Sequence, residues 1–299
     1  MDQKLIDKAA QIIWDCWNTG KTISDLPKDC KPKNKNSAYE IQKRVIEMSQ
    51  SEQIGWKIAA TSENGQNHIG VSGPLAGRLL DHRSRVTGAN LTLGPNIMRV
   101  AEAEFCFKLG DDLPIKKSAY TVDEVLSAVD TLHPAIEIPD SRYLNFEAAG
   151  EIQLIADNAC ASWFILGEKT TADWRSIDLR EHQVDASVNG VVKEKGVGKN
   201  VLGDPRLALT WIANELSQEK IGLKRLSFIS LSIIFFELDF RLYKSGDVKS
   251  MLLRGVFSFK IRSGILTSEI KKFANTSTPE VSTSISSNNG GAIAIALPS

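Results

Sequence analysis

The chain has 299 residues, of which 42% are hydrophobic and 24% charged, and its 36 basic side chains balance its 36 acidic ones. A zero net charge provides no basic field, so we expect neither nucleic acid nor an anionic membrane as a partner. The charged N-terminus lacks the apolar stretch of a signal peptide, and the longest apolar run, 226–236, is too short to span a bilayer at about ten residues. Four scattered cysteines predict reduced thiols. We therefore expect a globular cytoplasmic protein.

The first 53 residues predict a helical region. Apolar residues recur at helical spacing from Leu5 to Trp17, and Gly20 stands where this helix should stop. Ser37 and Glu40 have the spacing of a capping box, which predicts the start of a second helix there.

Short strands dominate after residue 54. Apolar and alternating patterns predict strands over residues 54–58, 100–109, 134–138 and 162–166. Asn189-Gly190 predicts the tip of a hairpin, and Asp204-Pro205 predicts the start of a helix that runs to about residue 218. The chain is thus predicted to be α+β.

Three glutamates stand in strand contexts. Glu102 and Glu104 share one face of a predicted strand, about 7 Å apart along it, and Glu137 lies in an apolar strand where an unpaired carboxylate is costly. Oxygen-only ligands suit a hard cation, Mg²⁺ or Mn²⁺. Two alternatives stay open: a solvated face of an edge strand for the first pair, and a structural ion pair between Glu137 and Arg142.

Lys57 lies inside an apolar strand directly after Trp56. Its ammonium either extends along the apolar surface to water or is held in a pocket, where desolvation lowers its pKa into the acid–base range. The residues alone do not choose between these alternatives.

Short blocks of sequence carry a family resemblance. They are, in chain order, Gly55–Ile58, Gly70-Val71, Pro74–Leu79, Ala101–Glu104, Pro134–Ile138 with Asp140–Arg142, Ala156–Ala159 and Val201–Pro205. This ordered series, within residues 5–229, resembles the 2-keto-4-pentenoate hydratase family. That family includes the 4-oxalocrotonate decarboxylases and belongs to the fumarylacetoacetate hydrolase superfamily.

The resemblance implies a mixed β-sheet roll, barrel-like and similar to the fumarylacetoacetate hydrolase C-terminal domain, with a helical region beside it. We therefore expect an N-terminal helical region over 1–53 and a catalytic domain over 54–267. The Ser/Thr-rich segment 268–299 is expected to be a disordered tail.

The resemblance also implies roles for individual residues. The metal ligands are expected to be Glu102, Glu104 and Glu137, the catalytic residues Lys57 and Asp81, and the substrate-binding residues Arg142 and Ser162. Arg142 or Arg78 is a candidate for the second cationic group that a dicarboxylate substrate requires.

The implied activity is a divalent-metal-dependent hydratase that adds water to 2-hydroxy-2,4-dienoate or 2-oxo-4-enoate acids in aromatic-compound catabolism. The alternatives are a decarboxylase of 2-oxo-enedioates and, in another class, a non-catalytic homologue that serves as a partner subunit. The implied partners are a small-molecule acid, further copies of this chain in a homo-oligomer, and a homologous decarboxylase or hydratase.

The chain departs from the family over residues 226–267. Leu231–Phe236 stands where the family has small residues in a turn that borders the active site. We expect these bulky groups to fill the pocket mouth and to leave hydratase activity weak or absent. Ser245–Asp247 is interpreted as a remnant of a later turn, and Val256–Ile261 as a closing strand.

Overall fold

A computed structural model of the chain describes residues 1–89, 91, 93–237, 256–262 and 292–296, with Glu237 and the last two ranges described by their backbone alone. The helices are α1 (Gln3–Thr19), α2 (Lys35–Ser49), α3 (Glu63–Ile69), α4 (Val122–Ser127), α5 (Glu151–Ala156) and α6 (Pro205–Gln218). The strands are β1 (Gln53–Ala59), β2 (Leu75–Leu80), β3 (Ser84–Val86), β4 (Val100–Leu109), β5 (Val129–Ile138), β6 (Trp163–Leu166), β7 (Gln183–Val188), β8 (Val191–Val197), β9 (Phe228–Glu237), β10 (Val256–Arg262) and β11 (Ala292–Ala296).

Local capping interactions determine where the two N-terminal helices begin and end, and the start of α2 differs from the prediction. α1 stops at Gly20, whose φ of 66° is the left-handed conformation that glycine adopts without strain. α2 begins earlier than expected, because the Asn34 side chain accepts a hydrogen bond from the backbone N–H of Ser37. The capping box predicted from Ser37 and Glu40 was therefore wrong by about one turn, since asparagine is an equally good cap.

The main sheet draws its strands from distant parts of the sequence. Among the described residues it has seven strands in the order β2-β1-β9-β4-β5-β6-β3. β9 pairs parallel with β1 and antiparallel with β4, so a strand from the last third of the chain lies between two earlier ones. No helix in this described part combines the length and apolar character needed to cross a membrane.

The sheet curls because its two edges are joined by a short connection. β2 and β3 are the edge strands, and only the 3-10 turn Asp81–Arg83 links them. In a flat sheet, strands about 4.8 Å apart would separate these edges by about 29 Å, far more than such a turn can bridge. The barrel-like mixed roll implied by the family resemblance is confirmed.

Alternate residues of the roll face two different environments. One face joins an apolar core with the helices, in which Ile13 of α1, Ile41 of α2 and Leu209 of α6 are fully buried. The opposite face lines the interior of the roll and carries the carboxylates.

A second sheet has the order β11-β10-β7-β8 among the described strands. Asn189 and Gly190, at φ of 52° and 77°, connect β7 to β8 and confirm the predicted hairpin. β10 confirms the closing strand expected over 256–261, and residues 292–296 of the expected tail pair with it as β11. Most of the tail, and the turn at Ser245–Asp247, lie outside the described residues.

Candidate active site

The register of β4 and β5 brings the three glutamates together. Glu102 stands directly opposite Glu137 in this antiparallel pair, and Glu104 lies two residues further on the same face of β4. β4 is flanked by β9 and β5. The alternative of an edge strand with a solvated acidic face is therefore wrong.

The three carboxylates form a compact buried cluster. One oxygen from each lies within 4.8 Å of the others, and Glu104 and Glu137 are each 1% exposed. Glu102 Oε2, Glu104 Oε1 and Glu137 Oε1 are buried, and no described residue donates a hydrogen bond to them. Buried carboxylate oxygens that lack donors are costly, and a hard divalent cation supplies what they lack. The residues present therefore fit a divalent metal ion.

Protonation is the alternative way to relieve this cluster. Burial, and then the neighbouring carboxylates of Glu137 and Glu102, raise the pKa of Glu104 well above its usual range. Burial is also the largest cause that raises the pKa of Glu137 to about 8, against the opposing charge of Lys57. Without a cation, Glu104 is thus the carboxyl group that favours protonation, while Glu137 faces the ammonium of Lys57.

Lys57 reaches this cluster from β1. It is 1% exposed, its Nζ lies 2.8 Å from Glu137 Oε2, and it donates a hydrogen bond of 3.1 Å to the carbonyl oxygen of Ala159. Burial acts to lower its pKa, but the charges of Glu137, Glu102 and Glu104 outweigh burial and raise it. The side chain is therefore held in a pocket, not extended to water, and its ammonium stays protonated. Of the two alternatives, the pocket is the one observed, but the pKa of Lys57 is raised in it and not lowered, because the carboxylates are close.

A glycine on β2 allows this arrangement. Gly77 pairs with Lys57 across β1 and β2, and a Cβ at this position would lie 2.3 Å from the carbonyl oxygen of Asn158. Only a residue without a side chain lets the Asn158–Cys160 turn approach the strand so closely. That approach places the Ala159 carbonyl beside Lys57.

Ser230 is a site residue that the sequence analysis missed. It is fully buried on β9, pairs with Lys57 on one side and Cys106 on the other, and its hydroxyl donates to Glu104 Oε2. The signal was present: Ser230 and Ser232 interrupt an apolar strand at a spacing of two, as expected for one polar face.

Arg142 was predicted to bind substrate, but its guanidinium is fully engaged within the protein. Its Nε donates to Asp157 Oδ1, and its other nitrogens donate to the carbonyl oxygens of Asp157, Asp140 and Ala161. Its guanidinium also lies 4.3 Å from the centre of the Trp17 ring. The proposed ion pair between Arg142 and Glu137 was wrong as well, because Asp157 is the partner.

The other predicted site residues lie apart from the cluster. Asp81 is exposed in the turn between β2 and β3. Ser162 is half-buried and lines a second, very small cavity of about 10 Å³ that Glu137 also borders. Arg78, considered for a second carboxylate, is buried and donates to Gln42 and Gln53, so it is engaged elsewhere.

A small cavity of about 20 Å³ opens beside the cluster and is lined by Lys57, Glu102 and Ala159. Within Leu231–Phe236, only Ser232 and Phe235 line it. The remaining residues of that run are buried in the apolar core. The bulky run is therefore mostly core rather than a plug in the pocket mouth.

No family model matches the chain, but named proteins do. The chain is 31% identical over 229 residues to 2-hydroxyhexa-2,4-dienoate hydratase of Comamonas testosteroni, covering 75% of this chain and 85% of that protein. It is 32% identical over 216 residues to 2-keto-4-pentenoate hydratase of Paraburkholderia xenovorans strain LB400, covering 71% and 78%. It is also 32% identical over 218 residues to 4-oxalocrotonate decarboxylase of Pseudomonas sp. strain CF600, covering 71% and 81%.

Solved structures show the same fold. 4-Oxalocrotonate decarboxylase from Pseudomonas putida G7, complexed with magnesium and adipate, matches with a TM-score of 0.75 at 22% identity, covering 99% of this chain and 98% of that one. The same enzyme complexed with calcium and acetate matches with a TM-score of 0.74. From the extent of these sequence matches, the chain belongs to the 2-keto-4-pentenoate hydratase and 4-oxalocrotonate decarboxylase family.

Proposed function

We propose that this protein is a divalent-metal-dependent lyase that adds water to 2-hydroxy-2,4-dienoate or 2-oxo-4-enoate acids. The observation that supports this most is the buried carboxylate cluster whose orphaned oxygens face one another beside a charged lysine. Its relatives at about 30% identity include named hydratases of such acids.

Glu102, Glu104 and Glu137 would hold the cation, Mg²⁺ or Mn²⁺. When bound, such an ion supplies Lewis-acid stabilisation of negative charge on the carboxylate and 2-oxygen of the acid. The hydroxyl of Ser230 keeps Glu104 oriented towards the cluster, so that the donor set is arranged before a ligand arrives.

Lys57 is the proposed acid–base and charge-stabilising residue. Its Nζ is fixed by Glu137 and by the Ala159 carbonyl, it lines the cavity, and its raised pKa keeps it protonated. A fixed ammonium stabilises enolate charge as it develops and holds a proton that it can deliver to the substrate.

Ser162 and Asp81 are secondary proposals. Ser162 borders the second cavity next to Glu137, and its proposed role is to bind a substrate oxygen through its hydroxyl. Asp81 has only its family-implied catalytic role to support it, because its side chain is exposed. Asp81→Asn should lower turnover at least about tenfold if that role holds, and unchanged turnover would remove Asp81 from the mechanism.

The direct test is turnover on a small panel of 2-hydroxydienoates, with Mg²⁺, with Mn²⁺ and with chelator. We expect loss of the dienoate absorbance only when a divalent cation is present. Weak turnover was expected from a bulky run that fills the pocket mouth; because that run lies mostly in the core, the measured rate is the test of this expectation. Absence of cation binding in the wild type would contradict the proposal.

A decarboxylase of 2-oxo-enedioates is the second candidate, and the named decarboxylase relative at 32% identity favours keeping it. Release of CO₂ from the same panel distinguishes it from hydration. If the chain binds the cation but turns over no acid, the third candidate, a non-catalytic partner subunit, is favoured.

Self-association is a separate proposal. The sheet edges and the Trp14-bearing face of α1 are surfaces that a second copy would cover. We therefore expect at least a homodimer by light scattering at micromolar concentration. A mass near 33 kDa, that of one chain, would contradict this.

A further inference from the structure

The buried turn Asn158–Cys160 beside Lys57 has an unusual backbone. Its three residues have φ angles of 55°, 49° and 60°, although none of them is glycine, and all three are buried. The left-handed region is unfavourable for residues that carry a side chain. Strained backbone of this kind persists where the surrounding structure fixes it, and it is found preferentially at functional sites. The contacts that fix this turn are therefore candidates for a functional role.

The side chain of Asn158 attaches the turn to β2. Its Oδ1 accepts a hydrogen bond of 2.6 Å from the backbone N–H of Arg78, and its Nδ2 donates one of 2.9 Å to the backbone carbonyl oxygen of the same residue. β2 is an edge strand among the described strands. One amide side chain thus supplies the acceptor and the donor that a neighbouring strand would supply to this edge.

The attached turn provides one of the two contacts that fix Lys57. The carbonyl oxygen of Ala159 accepts from Nζ at 3.1 Å, and Glu137 Oε2 lies 2.8 Å from the same atom. Glu137 belongs to the proposed metal ligands, whereas the carbonyl of Ala159 does not. An ammonium on a flexible four-carbon chain needs more than one acceptor to be held in a single place. The position of the turn therefore bears on the position of the reactive ammonium.

We propose that Asn158 is a positioning residue for the reaction: by attaching the left-handed turn to β2, it holds the Ala159 carbonyl where that oxygen orients the ammonium of Lys57. This inference rests on the proposed function, because it assumes that Lys57 acts on the substrate. The alternative is that asparagine stands at position 158 only because it tolerates a positive φ. Glycine separates the two explanations, since it adopts this φ without strain but lacks both hydrogen bonds.

The test is therefore Asn158→Gly in the full chain, alone and combined with Lys57→Met. Asn189→Gly makes the same substitution at an exposed left-handed position, with φ of 52°, and is the matched control. Asp157→Asn, at the adjacent buried position, controls for a loss of stability that leaves the Asn158 side chain in place. The measurements are kcat and KM per folded molecule on the panel acid that the wild type converts fastest, and Mg²⁺ binding by calorimetry.

A further measurement does not depend on turnover. ¹⁵N NMR of the lysine ammonium groups detects a buried, slowly exchanging Nζ signal for Lys57, which is assigned by its absence in Lys57→Met. We expect Asn158→Gly to shift this signal or to speed its exchange with water, and Asn189→Gly to leave it unchanged. An unchanged Lys57 signal in Asn158→Gly would overturn the inference.

In Asn158→Gly we expect kcat to fall by about 10- to 100-fold, because a reactive group displaced by about 1 Å loses up to about that much. KM and the affinity for Mg²⁺ should stay within about twofold of the wild type. In the Lys57→Met background the same substitution should lower kcat by less than about twofold, since residues that act through one another are not additive.

Three kinetic outcomes would contradict the role of Asn158. They are a wild-type kcat in Asn158→Gly, an undiminished effect in the Lys57→Met background, and an equal fall in Asp157→Asn. Failure of the proposed function shows separately, as absence of Mg²⁺ binding and of turnover in the wild type, and the NMR signal of Lys57 then still decides whether Asn158 positions the ammonium.

Discussion

Two buried ion pairs lie within the described part of the roll, and they differ in how completely their atoms are satisfied. Arg142 and Asp157 are 4% and 0% exposed, and Lys57 and Glu137 are each 1% exposed. Asp157 accepts from the Ser141 hydroxyl and from the backbone and side chain of Arg142. Glu137 Oε1, by contrast, has no hydrogen-bond donor within the part of the chain that the structure describes.

The difference separates a pair whose atoms are satisfied within the protein from a pair whose atoms are not. Buried charges contribute to a stable structure only when hydrogen bonds satisfy their remaining atoms, and the pair of Arg142 and Asp157 meets that condition. The pair of Lys57 and Glu137 keeps unsatisfied oxygens beside two more glutamates. Buried oxygens without partners are typical of a site where a bound ligand supplies the missing interactions.

The largest expected effect comes from removing one carboxylate of the cluster. Glu104→Gln should lower turnover at least about a thousandfold, as does loss of a preorganised charge-stabilising group. Mg²⁺ binding by calorimetry should weaken in parallel. The thermal midpoint should stay equal or rise, because repulsion between buried carboxylates is relieved.

Glu194→Gln, at an exposed position on β8, is the matched control and should behave as the wild type. Full activity in Glu104→Gln would contradict the assignment of this cluster as the metal centre.

Breaking the structural pair should instead cost stability. Asp157→Asn leaves the Arg142 guanidinium without its counter-charge, and we expect the free energy of unfolding in urea to fall by about 3 to 5 kcal/mol. Activity per folded molecule should change little. Asp130→Asn, at an exposed position, serves as control, and equal stability of the two variants would show that the pair of Arg142 and Asp157 is not a structural one.

Lys57→Met should show the reverse pattern. Turnover should fall by about 100- to 1,000-fold, while the free energy of unfolding changes by less than about 1.5 kcal/mol, close to one pKa unit. The reason is that Glu137, with a pKa of about 8, can take up a proton once its partner is gone. Lys195→Met on the exposed face of β8 is the control. If Lys57→Met lost stability without losing turnover, Lys57 would have no role in the reaction.

The smallest effect is stabilisation by the cation itself. At a Mg²⁺ concentration of about 100 times its dissociation constant, the folded state should gain about 2.7 kcal/mol. Thermal unfolding with Mg²⁺ and with chelator measures this gain. Glu104→Gln should lose it, Asp157→Asn should keep it, and an equal gain in both variants would indicate that the ion binds elsewhere.

Local patterns in the sequence were enough to predict most of the helices, strands and turns. Strand alternation over 100–109, the turn at Asn189-Gly190 and the helix start at Asp204-Pro205 each depend on a few neighbouring residues, and each is confirmed. The pairing of Glu102 with Glu104 in the candidate ligand set was predictable for the same reason, because carboxylates at a spacing of two must share a face of a strand. The family resemblance joined Glu137 to that pair.

Partners that are distant in sequence were not predictable in this way. Arg142 was expected to bind substrate because nothing near it in the chain shows that Asp157 occupies it. Ser230 entered the site only because β9 folds against β4.

The sequence by itself determined the strands, the turns and the chemistry available to this protein, since these follow from backbone preferences and from the acidity of carboxyl groups. The tertiary structure alone decided which charges meet. Lys57 and Glu137 lie on strands separated by two others in the order β1-β9-β4-β5. Across a flat sheet these strands would be about 14 Å apart, yet Nζ and Oε2 are 2.8 Å apart. The curl of the closed roll brings the two side chains across its interior, and curl depends on how all the strands pack together.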